Sequence, residues 1–160
     1  MTSASTTVTP RWPLVVHLTG AALISVLGLA HLLAVHAFAE EGSAGEQIVE
    51  KISAATPSPM FEGGRQVTVL DLNTGYSVGM GLLGVVFGIL AIVAARGAPQ
   101  LITRWSLFGG TCTAAAAGIL WIACLYFPEP AIIFSGLATL CFAAVLVAGP
   151  RPARRAGENP

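Results

Sequence analysis

Charged residues are scarce in this chain, and four long stretches have none at all. Asp, Glu, Lys and Arg make up 10% of the 160 residues, and apolar residues make up 54%. A soluble domain usually carries about 25% charged residues, so this composition argues against one. The formal net charge is zero. The sequence therefore lacks the basic patch of a nucleic-acid-binding protein, and no nucleic-acid partner is expected.

Several catalytic and metal-binding motifs are also missing. The three cysteines, at 112, 124 and 141, form no Cys-x-x-Cys pair, which argues against a disulfide oxidoreductase. There is no Gly-x-x-x-x-Gly-Lys loop and no His-Glu-x-x-His motif. His31 and His36 lie five residues apart, which separates them by about 140° on an α-helix, and His17 belongs near the other membrane face. We therefore expect no bound metal and no other cofactor.

The four uncharged stretches are long enough to cross a bilayer. Crossing a ~30 Å hydrocarbon core takes ~20 helical residues, and the stretches show no alternating pattern that would indicate barrel strands. They run from Trp12 to Phe38, Leu72 to Ala95, Trp105 to Phe127 and Ala131 to Gly149. The sequence therefore predicts an all-α integral membrane four-helix bundle. One domain would occupy residues 1–149, followed by a disordered cytoplasmic tail at 150–160.

Cations and acids fall on opposite sides of these spans. Six of the eight Lys and Arg residues share one side: Arg11, Arg96, Arg104, Arg151, Arg154 and Arg155. Because cations in short loops resist translocation, we expect both termini in the cytoplasm and the protein in the inner (plasma) membrane. Seven of the eight acids then lie outside, mostly in an external loop at 40–68. Within that loop, Glu46 to Thr56 has the spacing of a short amphipathic surface helix.

An alternative reading of the first span is a cleaved signal peptide. Ala37-Phe38-Ala39 before Glu40 has the small-x-small form that signal peptidase cuts. Signal peptides have a basic start and an apolar stretch of ~7 to 15 residues, whereas this run is far longer and follows a single Arg. We expect the first span to be retained.

Glycines recur along the second span and suit close helix packing. Gly75, Gly79, Gly84 and Gly88 form two Gly-x-x-x-Gly pairs. Such pairs let another backbone approach closely inside lipid. We expect the second span to pack on the small residues of the third, and Gly79 and Gly84 to offer a face for homo- or hetero-oligomers. The alternative is that these helices are simply Gly-rich.

Asp71 is the strongest candidate for a functional residue among the ionisable groups. It precedes Arg96 by ~25 residues, or ~37 Å of helix, and so lies near the outer edge of the hydrocarbon. An ionisable group there is costly and is retained mainly when it is paired or used. As a structural residue, Asp71 would accept backbone N–H bonds at the start of the second span. As a catalytic residue, it would be desolvated and held protonated as a general acid.

In the catalytic interpretation, Asp71 protonates an alkene or epoxide of a hydrophobic substrate that enters from the bilayer. Glu62 or His31 would tune or reprotonate it. Side chains of the same boundary would bind the substrate and shield a carbocation. These side chains are Phe61, Asn73, Tyr76, Trp121 and Tyr126.

Short motifs of the first half of the chain resemble an uncharacterised family of small four-helix bacterial membrane proteins. They are His-Leu-Thr-Gly at 17–20, Gly-x-x-His-Leu at 28–32, Met60-Phe61 and the segment from Asp71 to Gly79. In its size and outward acid the chain is also similar to the small membrane terpene cyclases of bacterial indole sesquiterpenoid pathways. That resemblance implies proton-initiated closure of a prenyl chain without metal. No catalytic motif of those enzymes aligns residue by residue, so Asp71 and Glu62 rest on chemistry alone.

Two functions from different classes remain. The first is a terpene cyclase or isomerase that acts on an isoprenoid substrate by protonation; the Asp-rich metal motif of soluble terpene cyclases is absent, which argues against diphosphate ionisation. The second is a non-catalytic membrane subunit or small transport component that packs through its glycine faces. A single four-helix unit without broken inverted repeats gives little support to a self-sufficient transporter.

Overall fold

The protein is described by a computed structural model, which covers residues 11–38, 42–58 and 64–151. The elements are α1 (Trp12–Leu32), a π-helical turn (Leu33–Ala37), α2 (Ala44–Ala55), α3 (Val69–Gly97), a 3-10 turn (Pro99–Leu101), α4 (Leu107–Tyr126) and α5 (Glu129–Ala148). No strand forms within these ranges, where extended backbone pairs only in an isolated bridge between Pro57 and Thr68. The all-α prediction is confirmed. The Ala39-Glu40 bond and the tail from residue 152 lie outside the described residues.

Among the residues that the structure describes, four helical segments are long and apolar enough to cross a membrane. They are Trp12–Ala37, Val69–Gly97, Leu107–Tyr126 and Glu129–Ala148. Large apolar side chains cover their outer faces; Leu83 is 70% exposed, for example, and Leu107 is 88% exposed. An apolar outer surface of this extent suits a lipid environment better than water. The structure therefore confirms a multi-pass helical membrane protein.

The chain forms two compact units. Unit 1 comprises residues 1–24 and 87–160, and unit 2 comprises residues 25–86. All four spans contribute to the core of unit 1, which contains Ala21, Ile24, Ala91, Cys112, Ala116, Ala138 and Phe142. Most of these side chains are small, so the helices approach closely around the ring of Phe142. Unit 1 is thus a helical bundle with a mainly apolar core.

In unit 2, α1 and α3 approach each other at a glycine contact. A Cβ added to Gly28 would lie 2.5 Å from the carbonyl oxygen of Gly81 and 2.8 Å from the amide nitrogen of Val85. It would also lie 3.1 Å from the carbonyl carbon of Gly84. No residue with a side chain fits at Gly28 without separating the two backbones. Gly84, which we expected to offer a face for oligomers, is therefore already used inside unit 2.

Other glycines of the spans remain open. A Cβ at Gly75 or Gly79 of α3 would meet nothing within 4 Å, and the same holds for Gly110 and Gly118 of α4. Gly79 is therefore available to a partner helix, in contrast to Gly84.

The short helix expected in the 40–68 loop is present as α2. It begins with a capping box: Ser43 Oγ accepts a bond from the Glu46 amide, and the Glu46 carboxylate accepts a 2.6 Å bond from the Ser43 amide. The side-chain and backbone hydrogen bonds with Ser43 hold the pKa of Glu46 below its usual value. The apolar residues Ile48, Val49 and Ile52 of α2 are exposed.

Candidate histidine and serine site

Asp71 forms a helix cap. Its Oδ2 atom accepts hydrogen bonds from the amide and from the hydroxyl of Thr68, both at 2.9 Å. The Thr68 hydroxyl in turn accepts a 3.1 Å bond from the Asp71 amide. This reciprocal pair is a capping box at the start of α3, where the helix dipole favours negative charge.

The expectation that the Asp71 carboxylate is hidden from water is wrong. Asp71 is exposed, because the cap turns its side chain back toward Thr68 at the beginning of the helix. The geometry matches the structural interpretation of Asp71. Its role as a general acid stays a prediction without a desolvated site to support it.

The other expected site residues are divided between the two units. His31, Asn73 and Tyr76 belong to unit 2, and Trp121 and Tyr126 belong to unit 1. Asn73 is exposed, and so are the three aromatic side chains. Glu62 and Phe61 lie outside the described residues. The substrate-binding wall therefore stays a prediction.

A polar cluster forms around Ser77 in unit 2. The Nε2 atom of His31 lies 3.0 Å from Ser77 Oγ and 3.2 Å from the Ser77 carbonyl oxygen. The Nε2 atom of His36 lies 3.0 Å from the same hydroxyl. The two imidazole centroids are 6.1 Å apart, with their planes at 80°. We name His31, His36 and Ser77 the His–Ser cluster.

A π-helical turn brings His36 to the same hydroxyl as His31. Within the turn Leu33–Ala37, the Phe38 amide donates a 2.8 Å bond to the Leu33 carbonyl. Such an i to i+5 bond places residues five apart nearly above one another, whereas an α-helix would separate them by about 140°. The expectation that these two histidines diverge is therefore wrong, because the helix between them is not an α-helix. π-turns of this kind are frequent at functional sites.

The partners of His31 assign the protons of the cluster. A carbonyl oxygen only accepts, so the His31 Nε2 that lies beside the Ser77 carbonyl carries a hydrogen and donates it. The same N–H also points at Ser77 Oγ. When the proton of His36 is on Nδ1, the Ser77 hydroxyl donates to Nε2 of His36. In that tautomer a directed chain of hydrogen bonds runs from His31 through Ser77 to His36.

The burial of the cluster leaves one end accessible. His31 and Ser77 are half-buried, and His36 is exposed. In enzymes, a hydroxyl group is activated by an adjacent base such as an imidazole within hydrogen-bond reach. Two imidazoles lie at this distance from the Ser77 hydroxyl. Within the part of the chain that the structure describes, no group of three or more His, Cys, Asp and Glu residues is placed to hold a metal.

His17, the third histidine, has a different environment. It is 1% exposed and lies in unit 1 between the rings of Phe108 and Phe142, with centroid distances of 5.3 Å and 4.9 Å. Its Nε2 atom is buried and has no hydrogen-bond partner among the described residues. His17 therefore serves as a core aromatic ring in unit 1.

Sequence reasoning did not identify Ser77, although a signal was available. Ser77 lies six residues after Asp71, or ~9 Å along α3, and is a polar residue inside an apolar span. Polar groups at this depth either form hydrogen bonds between helices or belong to functional sites. Matching the depth of Ser77 with that of His31 would have suggested the pair.

Comparisons with protein-family models, with curated proteins and with solved structures found no match to this chain. Both resemblances, the one carried by short motifs and the one carried by size and an outward acid, stay expectations, and the functional argument rests on the site itself.

Proposed function

We propose that this protein is a membrane enzyme that performs acid–base chemistry on a hydrophobic, isoprenoid-type substrate, with the His–Ser cluster as its proton-transfer group. The observation that carries the proposal is the convergence of two imidazoles on one hydroxyl within an apolar span. Histidine is the side chain most often used for general acid–base catalysis. The π-turn supports the same conclusion, since it aligns His36 with this hydroxyl.

The acid strength of imidazole selects the chemistry. An imidazolium ion is a weaker acid than a carboxylic acid, so the group it protonates is an epoxide or carbonyl oxygen rather than a plain alkene. With the extra proton on His31, which is then an imidazolium ion, His36 gives its Nδ1 proton to an epoxide oxygen, and the C–O bond opens. Ser77 gives its hydroxyl proton to Nε2 of His36 and takes the Nε2 proton of His31, which leaves both imidazoles neutral. The electron pair of a nearby double bond closes the ring.

The proton returns at the end of this sequence. The carbocation loses a C–H proton to the cluster, so the reaction is an isomerisation with no net proton consumed. This outcome agrees with the terpene cyclase or isomerase chemistry that the second resemblance implies. Tyr76, next to Ser77 on α3, would contribute an aromatic face to the cation.

The proposal includes a location. Both termini would lie in the cytoplasm and the protein in the inner (plasma) membrane, since six of the eight cations lie at one end of the spans. The His–Ser cluster then lies toward the outer end, where a lipid-soluble substrate reaches it from the bilayer.

Product formation from an epoxide probe tests the function. Membranes that contain the full chain would be incubated with 10,11-epoxyfarnesol, and products separated by gas chromatography with mass detection. We expect a cyclic isomer of unchanged mass. Ser77→Ala and His36→Gln should each reduce its rate by roughly 100-fold or more, the usual contribution of a general acid or base.

Ser25→Ala is the matched control for these variants. Ser25 Oγ donates a 3.4 Å bond to the Val85 carbonyl, so the control removes another α1 to α3 hydroxyl bond without touching an imidazole. Its rate should stay close to wild type. Asp71→Asn should also stay active, since Asn is a good capping residue. Loss of activity in Asp71→Asn with activity retained in Ser77→Ala would restore Asp71 as the acid and reject the His–Ser cluster.

A second candidate function is a non-catalytic membrane subunit. The open positions of Gly75 and Gly79 favour it, because a partner helix can approach the α3 backbone there. Gly79→Ile should then release a co-purified membrane partner, whereas Gly118→Ile, at an open position of α4, should not. Purification of the wild-type chain without any partner would reject this candidate.

A further inference from the structure

Unit 1 carries an open groove beside the start of α4. Its volume is about 480 Å³, within the ~300–1,000 Å³ of small-molecule sites. Leu107, Gly110 and Ala114 lie along one face of α4 and form one wall, and Leu146 of α5 forms another. Trp105 also lines the groove. No step of the proposed reaction uses these residues.

The lining of the groove is mainly apolar, because most of its side chains are apolar. Its two hydroxyl groups are already engaged in bonds within the chain. Ser106 Oγ accepts a 3.0 Å bond from the Gly109 amide, and Thr111 Oγ1 donates a 3.0 Å bond to the Leu107 carbonyl. The groove therefore offers a mainly apolar surface, which suits an acyl chain better than a polar ligand.

The backbone fixes Trp105 beside the groove. Trp105 adopts a left-handed conformation with φ 56°, which is uncommon for a non-glycine residue. Its amide donates a 3.0 Å bond to the Leu146 carbonyl, and the Arg104 amide donates a 2.8 Å bond to the Pro150 carbonyl. The indole is 66% exposed. Tryptophan in such a position is typical of the level of lipid headgroups.

Positive charge lies next to Trp105 in the chain. Arg104 directly precedes it, and the Nε atom of Arg104 is buried without a hydrogen-bond partner among the described residues. Arg151 follows Pro150, to which the Arg104 backbone is bonded. Glu129, the only acid of unit 1 within the described ranges, begins α5 at its other end, ~28 Å away along the helix. A buried guanidinium nitrogen needs an acceptor, and Glu129, at the far end of α5, does not supply it.

We propose that this groove binds an anionic phospholipid, with an acyl chain along Leu107, Gly110 and Ala114 and the phosphate at Arg104 and Arg151. The argument is charge complementarity: Trp105 of the apolar groove directly follows Arg104, whose amide is bonded to Pro150, the residue before Arg151. Arginine binds phosphate through several charge-assisted hydrogen bonds. Basic sites between spans that bind acidic headgroups follow the same logic. The site is independent of the His–Ser cluster and of the proposed reaction.

Lipid titration of the full chain in detergent, followed by native mass spectrometry, tests the charge selectivity. Phosphatidylglycerol and phosphatidylcholine with the same acyl chains would be compared. We expect phosphatidylglycerol to bind more tightly, and Arg104→Gln to weaken its binding by roughly tenfold, the low end for a charge-assisted hydrogen bond. Arg96→Gln is the matched control, because it removes one charge from unit 1 without altering the segment beside Trp105, and it should bind as wild type does.

A second pair of variants tests the channel itself. A Cβ at Gly110 meets nothing within 4 Å, so Gly110→Leu fills the groove without a clash at its first atom. It should weaken phosphatidylglycerol binding by roughly tenfold. Gly118→Leu makes the same change at an equally open position of α4 outside the groove, and it should have no effect. Ala114→Leu replaces Gly110→Leu if that variant does not fold.

Three outcomes would overturn the proposal. Equal binding of the two lipids would show that charge does not select the ligand. Binding unchanged in both Arg104→Gln and Gly110→Leu would show that the lipid lies elsewhere on the surface. Equal losses in Gly110→Leu and Gly118→Leu would indicate a shell of unspecific lipid.

Discussion

The two units hold their helices together by different means. The eleven buried apolar side chains among the described residues all belong to unit 1. Unit 2 relies instead on the backbone contact of Gly28 and on hydrogen bonds to Ser77. Lipid removes the hydrophobic drive between spans, so close packing and polar contacts are the two remaining means of association. Unit 1 uses mainly close packing, and unit 2 combines close packing with polar contacts.

The histidines show the same contrast. His17 of unit 1 is buried between two phenylalanine rings, and its Nε2 has no partner among the described residues. His31 and His36 of unit 2 share a hydroxyl and remain partly accessible. Histidine therefore fills space in the core of unit 1 and is a candidate proton carrier in unit 2. Burial and hydrogen-bond partners, rather than residue type, distinguish the two environments.

Substitution of Gly28 should give the largest effect on unit 2. A methyl group there would meet backbone atoms of α3, which cannot rotate away as a side chain can. We expect Gly28→Ala to destabilise the protein by about 1–3 kcal/mol, measured by thermal unfolding in detergent. Gly79→Ala, which meets no atom, should be neutral or stabilise by up to about 1 kcal/mol. Equal melting of the two variants would contradict the close contact.

Changing the length of the π-turn tests whether unit 2 depends on its polar contacts. Deletion of Ala34 would place His36 four residues after His31, a separation of only about 40° on an α-helix, so the His–Ser cluster should survive. Insertion of one alanine after Ala34 would turn His36 away from Ser77. We expect the insertion to cost about 0.5–1.5 kcal/mol, the value of a hydrogen bond. Thermal unfolding measures it, and a deletion more harmful than the insertion would argue against this geometry.

Replacing His17 tests the packing interpretation of unit 1. Phe at this position keeps an aromatic ring between Phe108 and Phe142 and removes a buried atom that lacks a partner. His17→Phe should be neutral or stabilise by about 1 kcal/mol in thermal unfolding. His31→Phe is the contrasting variant and should destabilise, because it removes two contacts with Ser77. A destabilised His17→Phe would show that Nε2 has a partner in the membrane.

The smallest effect concerns α2 and its dependence on pH. Hydrogen bonds with Ser43 lower the pKa of Glu46 from its ordinary 4.5. The ionised cap is therefore complete above pH 4.5 and is lost as the pH falls below it toward the folded-state pKa. Amide hydrogen exchange of α2, corrected for its intrinsic pH dependence, should accelerate over this range. Glu46→Gln keeps the cap without a titrating group, so its exchange should not respond; an identical response in both proteins would contradict the cap.

The sequence predicted the spans and α2 because their signals are local. Each span is a run of apolar residues, and α2 follows from three apolar residues at helical spacing. The cap at Asp71 was one of two interpretations, and the Thr68-x-x-Asp71 spacing is a sequence signature of a capping box that favours it. The π-turn had no such signal, since hydrophobic periodicity is not visible in a helix that is apolar all round.

Composition alone predicted the four helices that, among the described residues, are long and apolar enough to cross a membrane. It could do so because the free energy of transferring each span into lipid depends on its own residues. Which polar groups meet inside those spans was decided by tertiary structure. The position of Ser77 opposite His31 depends on the register of α1 against α3, which Gly28 fixes through contact with a residue more than fifty positions away. That register is a property of two packed backbones, and it cannot be predicted from the sequence of either segment separately.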